Sequence, residues 1–405
     1  MEFAHEDIET IAKLIPGPTQ LKDTSRGFFL QLIDLCKDAL IKTRELKIIV
    51  QESRFLNMSE PIPKNDHYNF IPEKIRHSRF MEFAEYKHLH RASVTIKHRI
   101  YNFTVVQFVK SSSEILSQEA TFLLKQACAW LLVASEFAPR ECSNTVNVNL
   151  YMTDAMKNLP EQMREYIDDS HVNTAFTTSC AKNTTINLFR KEEWFKVFIH
   201  ETFHNLGLDF SQYAELNAAA NVEILRAFRV NSEVRLYETY CEMWAETINV
   251  VMRNVSKHMR MIPENVIKHV EHDLRLERAF SLFQTAKLLN HFGIKYADFI
   301  RPDSAVRQKY KERTEVFSYF ILKSILMYDI NRFVEWCVTH NRGSLRFHNP
   351  DTNIIKYARE LILSQYNRPD FLQAIENVEE TMFSPKKRIK NVRFMYSTMR
   401  MSVFG

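Results

Sequence analysis

Glycine is scarce in this chain, with six in 405 positions. A phosphate-cradling loop needs two or three glycines within a few residues, and no such cluster occurs, which excludes nucleotide binding of that type. Long apolar runs are missing as well. The longest, Ala127–Ala134, falls far short of the ~20 residues that cross a bilayer, and the acidic start has no apolar leader. Neither a targeting signal nor membrane association is expected. The six cysteines, Cys36, Cys128, Cys142, Cys180, Cys241 and Cys337, form no close pair; they read as reduced thiols of a cytoplasmic protein. The sequons at Asn102 and Asn183 are then expected to be silent. There is no internal repeat and no low-complexity tract.

What is present is a five-residue motif, His200-Glu201-Thr202-Phe203-His204. On an α-helix, positions i and i+4 lie on one face about 6 Å apart along the axis, so two imidazoles spaced this way form a bidentate zinc clamp. Glu201 follows the first histidine, where a carboxylate reaches a bound water without being a ligand; that is a general-base position. The preceding run Lys191–Ile199 has no Gly or Pro, carries Glu192 and Glu193 where a first turn is expected, and spaces Trp194, Val197 and Phe198 at helical intervals. Gly207 then offers a left-handed stop.

A third ligand is expected from the next long Gly- and Pro-free segment, where Glu238, Glu242 and Glu246 fall at i, i+4 and i+8 on one face. Such a series supplies a ligand and, one turn on, an acid that orients a histidine through its other ring nitrogen. Glu238 is assigned as ligand and Glu242 as orienter; the shifted pairing, Glu242 as ligand with Glu246 behind it, stays open.

With these residues the chain resembles the gluzincin zinc metallopeptidases, which include thermolysin and the clostridial neurotoxin light chains. The gap of 33 residues between His204 and Glu238 is nearer the neurotoxin spacing. The wording HETFHNLGLDFS and YETYCEMWAETIN also resembles metallopeptidase-like proteins of large DNA viruses. The resemblance implies one zinc ion, a polypeptide substrate, and hydrolysis with Glu201 as base, in the cytoplasm or, for a viral protein, in the virion. It further implies that Asn173 and Ala175 belong to a substrate-holding edge strand, and that Tyr319 is a candidate stabiliser of the transition state. The alternative is a catalytically silent, metallopeptidase-like interaction protein.

In chain order, Ala92–Lys110 reads as two strands, Ser112–Phe137 as a helix, and the alternation of Val146, Val148 and Leu150 with polar neighbours as a half-buried strand. His171–Thr178 and Thr185–Phe189 are strand-like. From Pro263 on the pattern is helical. His88 with His90, and His269 with His272, are expected at the surface. The chain should therefore be α+β and predominantly helical. The expected parts are a helical or irregular N-terminal extension (1–86), a zincin-like upper lobe with sheet and metal helix (87–210), a helical lower lobe (211–385) and a basic tail (386–405). The net charge of +5 resides in that tail, where residues 386–400 hold six bases and no acid. A tail of this kind could contact nucleic acid or an acidic partner, with a solvated extension as the default.

Overall fold

A computed structural model describes residues 3–15, 19–301, 306–384 and 394–405. The chain is α+β and predominantly helical, around one six-stranded sheet. Helices α1 (His5–Ala12) and α2 (Asp23–Lys42) come first. Phe28, Phe29, Leu32, Ile33 and Cys36 of α2 recur at helical spacing and are all buried. These residues belong to the main apolar core, so the expected N-terminal extension is not an appendage. It also supplies an edge strand, β1 (Ile49–Phe55), that its sequence pattern does not announce.

Strands β2 (His88–Ile96) and β3 (Arg99–Gln107) pair antiparallel, and helix α3 (Ser113–Ala134) follows, capped by the Ser112 hydroxyl. It carries the chain back so that β4 (Thr145–Met152) runs parallel to β3, a pairing that needs such a crossover. Strands β5 (Ala175–Thr177) and β6 (Asn183–Leu188) complete the order β1-β2-β3-β4-β6-β5, leaving β5 at the second edge. Val146, Val148 and Leu150 point into the core as the alternation requires. Tyr151 on the opposite face is buried too, because Leu56, Ile62, Tyr68 and Ile71 cover that side of the sheet.

The motif helix, α4 (Trp194–Asn205), follows the sheet. Helices α5 (Ala214–Phe228), α6 (Leu236–Lys257) and α7 (Pro263–His291) come next. A π-helical stretch, Phe317–Leu322, then runs into α8 (Lys323–Tyr328), followed by α9 (Ile330–His340), α10 (Pro350–Lys356) and α11 (Pro369–Phe383). Among the described residues no helix is long and apolar enough to cross a membrane.

Four expectations need correction. His88 and His90 are not surface residues: both are buried on β2, bonded to Ser113 and Ser53 at 3.2 and 3.1 Å, because α3 packs over that face and β1 flanks the strand. Glu192 and Glu193 precede α4 instead of opening it, and Glu193 adopts a left-handed backbone with φ 56°. The basic tail, where described, is no tail. Met395, Met399, Arg400, Met401 and Val403 are all buried; residues 386–393 lie outside the described part. His272 is exposed, and His269 stacks on His258 with centroids 4.1 Å apart, in keeping with a solvated face.

The fourth correction concerns the thiols. Cys142 and Cys180 are joined in a disulfide, with Cα atoms 4.8 Å apart. The reason is the sheet register: Thr145 of β4 pairs with Asn183 of β6, and the cysteines stand three residues ahead of each, so parallel pairing brings them level. The four other cysteines are free and buried. Thiol titration of protein denatured without reductant should therefore find four thiols, and six after reduction; six before reduction would overturn the bridge.

Candidate metal centre

Helix α4 places His200 and His204 one turn apart in the interior, with Glu201 next to the first, and its C-terminus is closed as the sequence implies. Gly207 sits at φ 65°, and the Leu208 N–H bonds back to the Phe203 carbonyl at 2.8 Å. Any side chain at 207 would meet the disulfide, since a Cβ there would stand 2.8 Å from the Cys142 sulfur. Helix α6 crosses α4 with Glu238, Glu242 and Glu246 on the facing side, all buried.

Three atoms converge. The Nε2 atoms of His200 and His204 are 3.2 Å apart, and Glu238 Oε2 lies 3.0 Å from the first and 3.3 Å from the second. A tetrahedral ion with bonds of 2.0–2.1 Å would hold its ligand atoms about 3.3–3.4 Å apart. The observed triangle is slightly tighter, as protons shared between the groups would make it. These three residues could hold a metal ion.

The outer ring nitrogens are fixed by carboxylates. His200 Nδ1–H donates to Glu242 Oε2 at 2.9 Å, and His204 Nδ1–H donates to Asp209 Oδ2 at 2.6 Å. Donation at Nδ1 leaves the Nε2 lone pairs for an ion and fixes each ring's orientation. The shifted alternative, Glu242 as ligand, does not match this geometry; Glu246 instead pairs with Lys323 at 2.6 Å. Sequence reasoning missed Asp209, whose only signal is a carboxylate two residues beyond the Gly207 stop. A second group, His204, Asp209 and Cys241, could also hold a metal. Its His204–Asp209 contact of 2.6 Å has hydrogen-bond length, shorter than the ligand spacing above, so the pair is better read as an imidazole and its orienting acid.

Glu201 is buried beside the triangle, and its carboxylate has no hydrogen-bond partner among the described residues. Burial raises its pKa, against the charges of His200 and His204. It lines a cleft with His200, Tyr319, Asn173, Thr174 and Ala175. The Tyr319 hydroxyl donates to Glu238 Oε2 at 3.2 Å, inside the centre. Asn173 accepts from the Thr314 hydroxyl at 3.2 Å. Ala175 lies on the edge strand, where the bonds Phe189 N–H to Thr174 O and Thr178 N–H to Thr185 O make its own N–H and C=O face the open side.

Compared with known protein families, curated proteins and solved structures, the chain matches none.

Burial works to lower the pKa of His200, but its bonds to Glu238 and Glu242 outweigh that and carry it up to about 9. In the metal-free chain this proton stabilises the fold fully below about 6.5, the ordinary histidine value, and the contribution is lost as pH rises through about 9. An ion must expel the proton. Affinity for added cobalt(II) should therefore rise with pH up to about 9, by about tenfold per unit for each proton released. A flat affinity from pH 6.5 to 9 would remove His200 from the ligand set.

Proposed function

We propose that the chain is a zinc metallopeptidase of the gluzincin kind, with a zincin-like two-lobed core whose cleft runs between the β5 edge and the helices carrying Glu238 and Tyr319. One observation carries the reading: two Nε2 atoms and one carboxylate oxygen converge within 3.3 Å, both outer ring nitrogens are held by acids, and an unpartnered carboxylate stands beside them. The donor set of two imidazoles and one carboxylate suits zinc and leaves a fourth position open.

Bound at His200, His204 and Glu238, zinc supplies Lewis acidity toward a carbonyl and lowers the pKa of water. Glu201 takes the proton released on attack and passes it to the leaving amine; a pKa raised by burial suits a group that must both accept and donate. Ala175 offers its N–H and C=O to the main chain of an extended peptide, as an added strand. The Tyr319 hydroxyl turns from Glu238 toward the developing oxyanion.

The silent-scaffold alternative needs the ligands but has no use for an unpartnered Glu201 in the cleft. It also loses part of its partner surface, since Arg400 and its neighbours are buried; contact with nucleic acid or an acidic partner rests on residues 386–393. A cytoplasmic or virion setting remains part of the proposal on the strength of four buried free thiols, and the disulfide argues against it.

Glu201→Gln should leave zinc stoichiometry at one per chain and lower peptide hydrolysis by roughly 100-fold or more, because an amide keeps the shape but cannot take the proton. Hydrolysis at the wild-type rate in that variant would exclude Glu201 as base. Tyr319→Phe should lower kcat by roughly 10- to 1000-fold with little change in thermal stability. An unchanged kcat would reduce the hydroxyl to a packing role.

A further inference from the structure

Residues 394–405 lie in the interior like a bound peptide. Much of their main chain, from Met395 to Phe404, is held by side chains of other elements. Glu193 Oε1 accepts from the N–H groups of Met401 and Ser402 at 3.0 and 2.7 Å, and Glu277 accepts from the Val403 N–H at 3.1 Å. Gln284 donates to the Thr398 and Arg400 carbonyls, Lys287 to those of Met395 and Thr398, and Asn249 to that of Phe404. A solvated extension would have no such partners.

This strap reaches the candidate centre. Lys196, one turn before His200 on α4, is buried and pairs with Glu242 Oε1 at 2.5 Å, while the other oxygen of Glu242 holds His200 Nδ1 at 2.9 Å. The Lys196 ammonium lies 3.6 Å from the Met401 sulfur, and Met401 lines the same cleft as His200 and Glu201. The Met401 carbonyl accepts from Lys323 at 3.2 Å, and Lys323 pairs with Glu246, the next turn along α6 from Glu242.

We propose that Lys196 and Met401 are positioning residues for the metal centre: the strap seats Lys196, Lys196 fixes Glu242, and Glu242 orients His200. The inference rests on reading His200 as a metal ligand. The physical ground is that Glu242 divides its two oxygens between an ammonium and an imidazole, so shifting one partner moves the other. A buried ammonium must itself be packed and paired to stay in place. A carboxylate that orients a ligating histidine typically accounts for 10- to 100-fold in metal affinity. Lys196 and Met401 control that carboxylate without touching the ion.

The test uses the full chain, with zinc dissociation constants from competition against a chromophoric chelator and the visible spectrum of the cobalt(II)-loaded protein. Lys196→Met should weaken zinc binding about 10- to 100-fold and alter the cobalt spectrum, and Met401→Ala should weaken it about 3- to 10-fold. The double variant should bind about as Lys196→Met does, because Met401 acts through Lys196. Met401→Leu, which keeps the volume, should restore most of the affinity. If Lys196→Met does not fold, Lys196→Arg, which keeps the charge and moves its donors, takes its place in the same comparison. Wild-type affinity and an unchanged spectrum in both single variants, with only the melting temperature lowered, would overturn the proposal; so would a double variant whose loss equals the product of the singles. A wild-type chain that binds no zinc would instead sink the metal reading itself.

Discussion

Burying charge is the constraint on which this structure turns. Along one face of α6, Glu238, Glu242 and Glu246 are taken out of water together, and each must meet a positive or protonated partner. Glu238 meets the two imidazoles, Glu242 is shared between His200 and Lys196, and Glu246 meets Lys323. Removing one partner from a buried pair typically costs about 3–5 kcal/mol, since the other charge is left uncompensated. The ladder therefore sets the register of α6 against α4. A one-turn slip that put Glu242 at the triangle would bring Glu246 opposite Lys196 and Val250 opposite Lys323, leaving Lys323 without its acid and Glu238 without the imidazoles.

The same ladder brings two basic rings together. Two imidazole nitrogens face each other at 3.2 Å, and the acids around them favour protonation of both rings. Like charges so close inside a protein repel strongly. An ion at that point would replace the protons and remove the repulsion.

Local pattern accounts for much of what could be read in advance. The alternation at Val146, Val148 and Leu150, the helical spacing of α3 and the stop at Gly207 are set by neighbours in sequence, and the structure has each of them. His200, Glu201, His204, Glu238 and Glu242 were legible because i, i+4 spacing puts chemistry on one helix face. What failed depends on distant partners. Residues 394–405 read as a solvated tail because their burial requires Glu193, Glu277 and Lys323, more than 70 residues away. The disulfide was invisible because Cys142 and Cys180 are 38 residues apart and meet only through the β4–β6 register. Asp209 looked like any turn acid until the end of α4 aimed His204 at it.

Those long-range contacts share a target: both ends of α4 are fixed by chain far away in sequence. At its start, Glu193 is held by Lys157 at 2.7 Å and by the strap main chain. At its end, the Ser143 hydroxyl donates to the Asn205 carbonyl, and the disulfide beside Ser143 lies against Gly207. A helix of 12 residues is marginal by itself, and one carrying two histidines and a glutamate on its buried face is less stable still. Held at both termini, α4 is restrained against fraying and rotation, and that keeps His200, Glu201 and His204 in place on its buried side. Such restraint suits the proposed centre, in which two imidazoles would hold an ion while one carboxylate stays free beside them. The features hardest to read from sequence are therefore the ones that position the motif easiest to find.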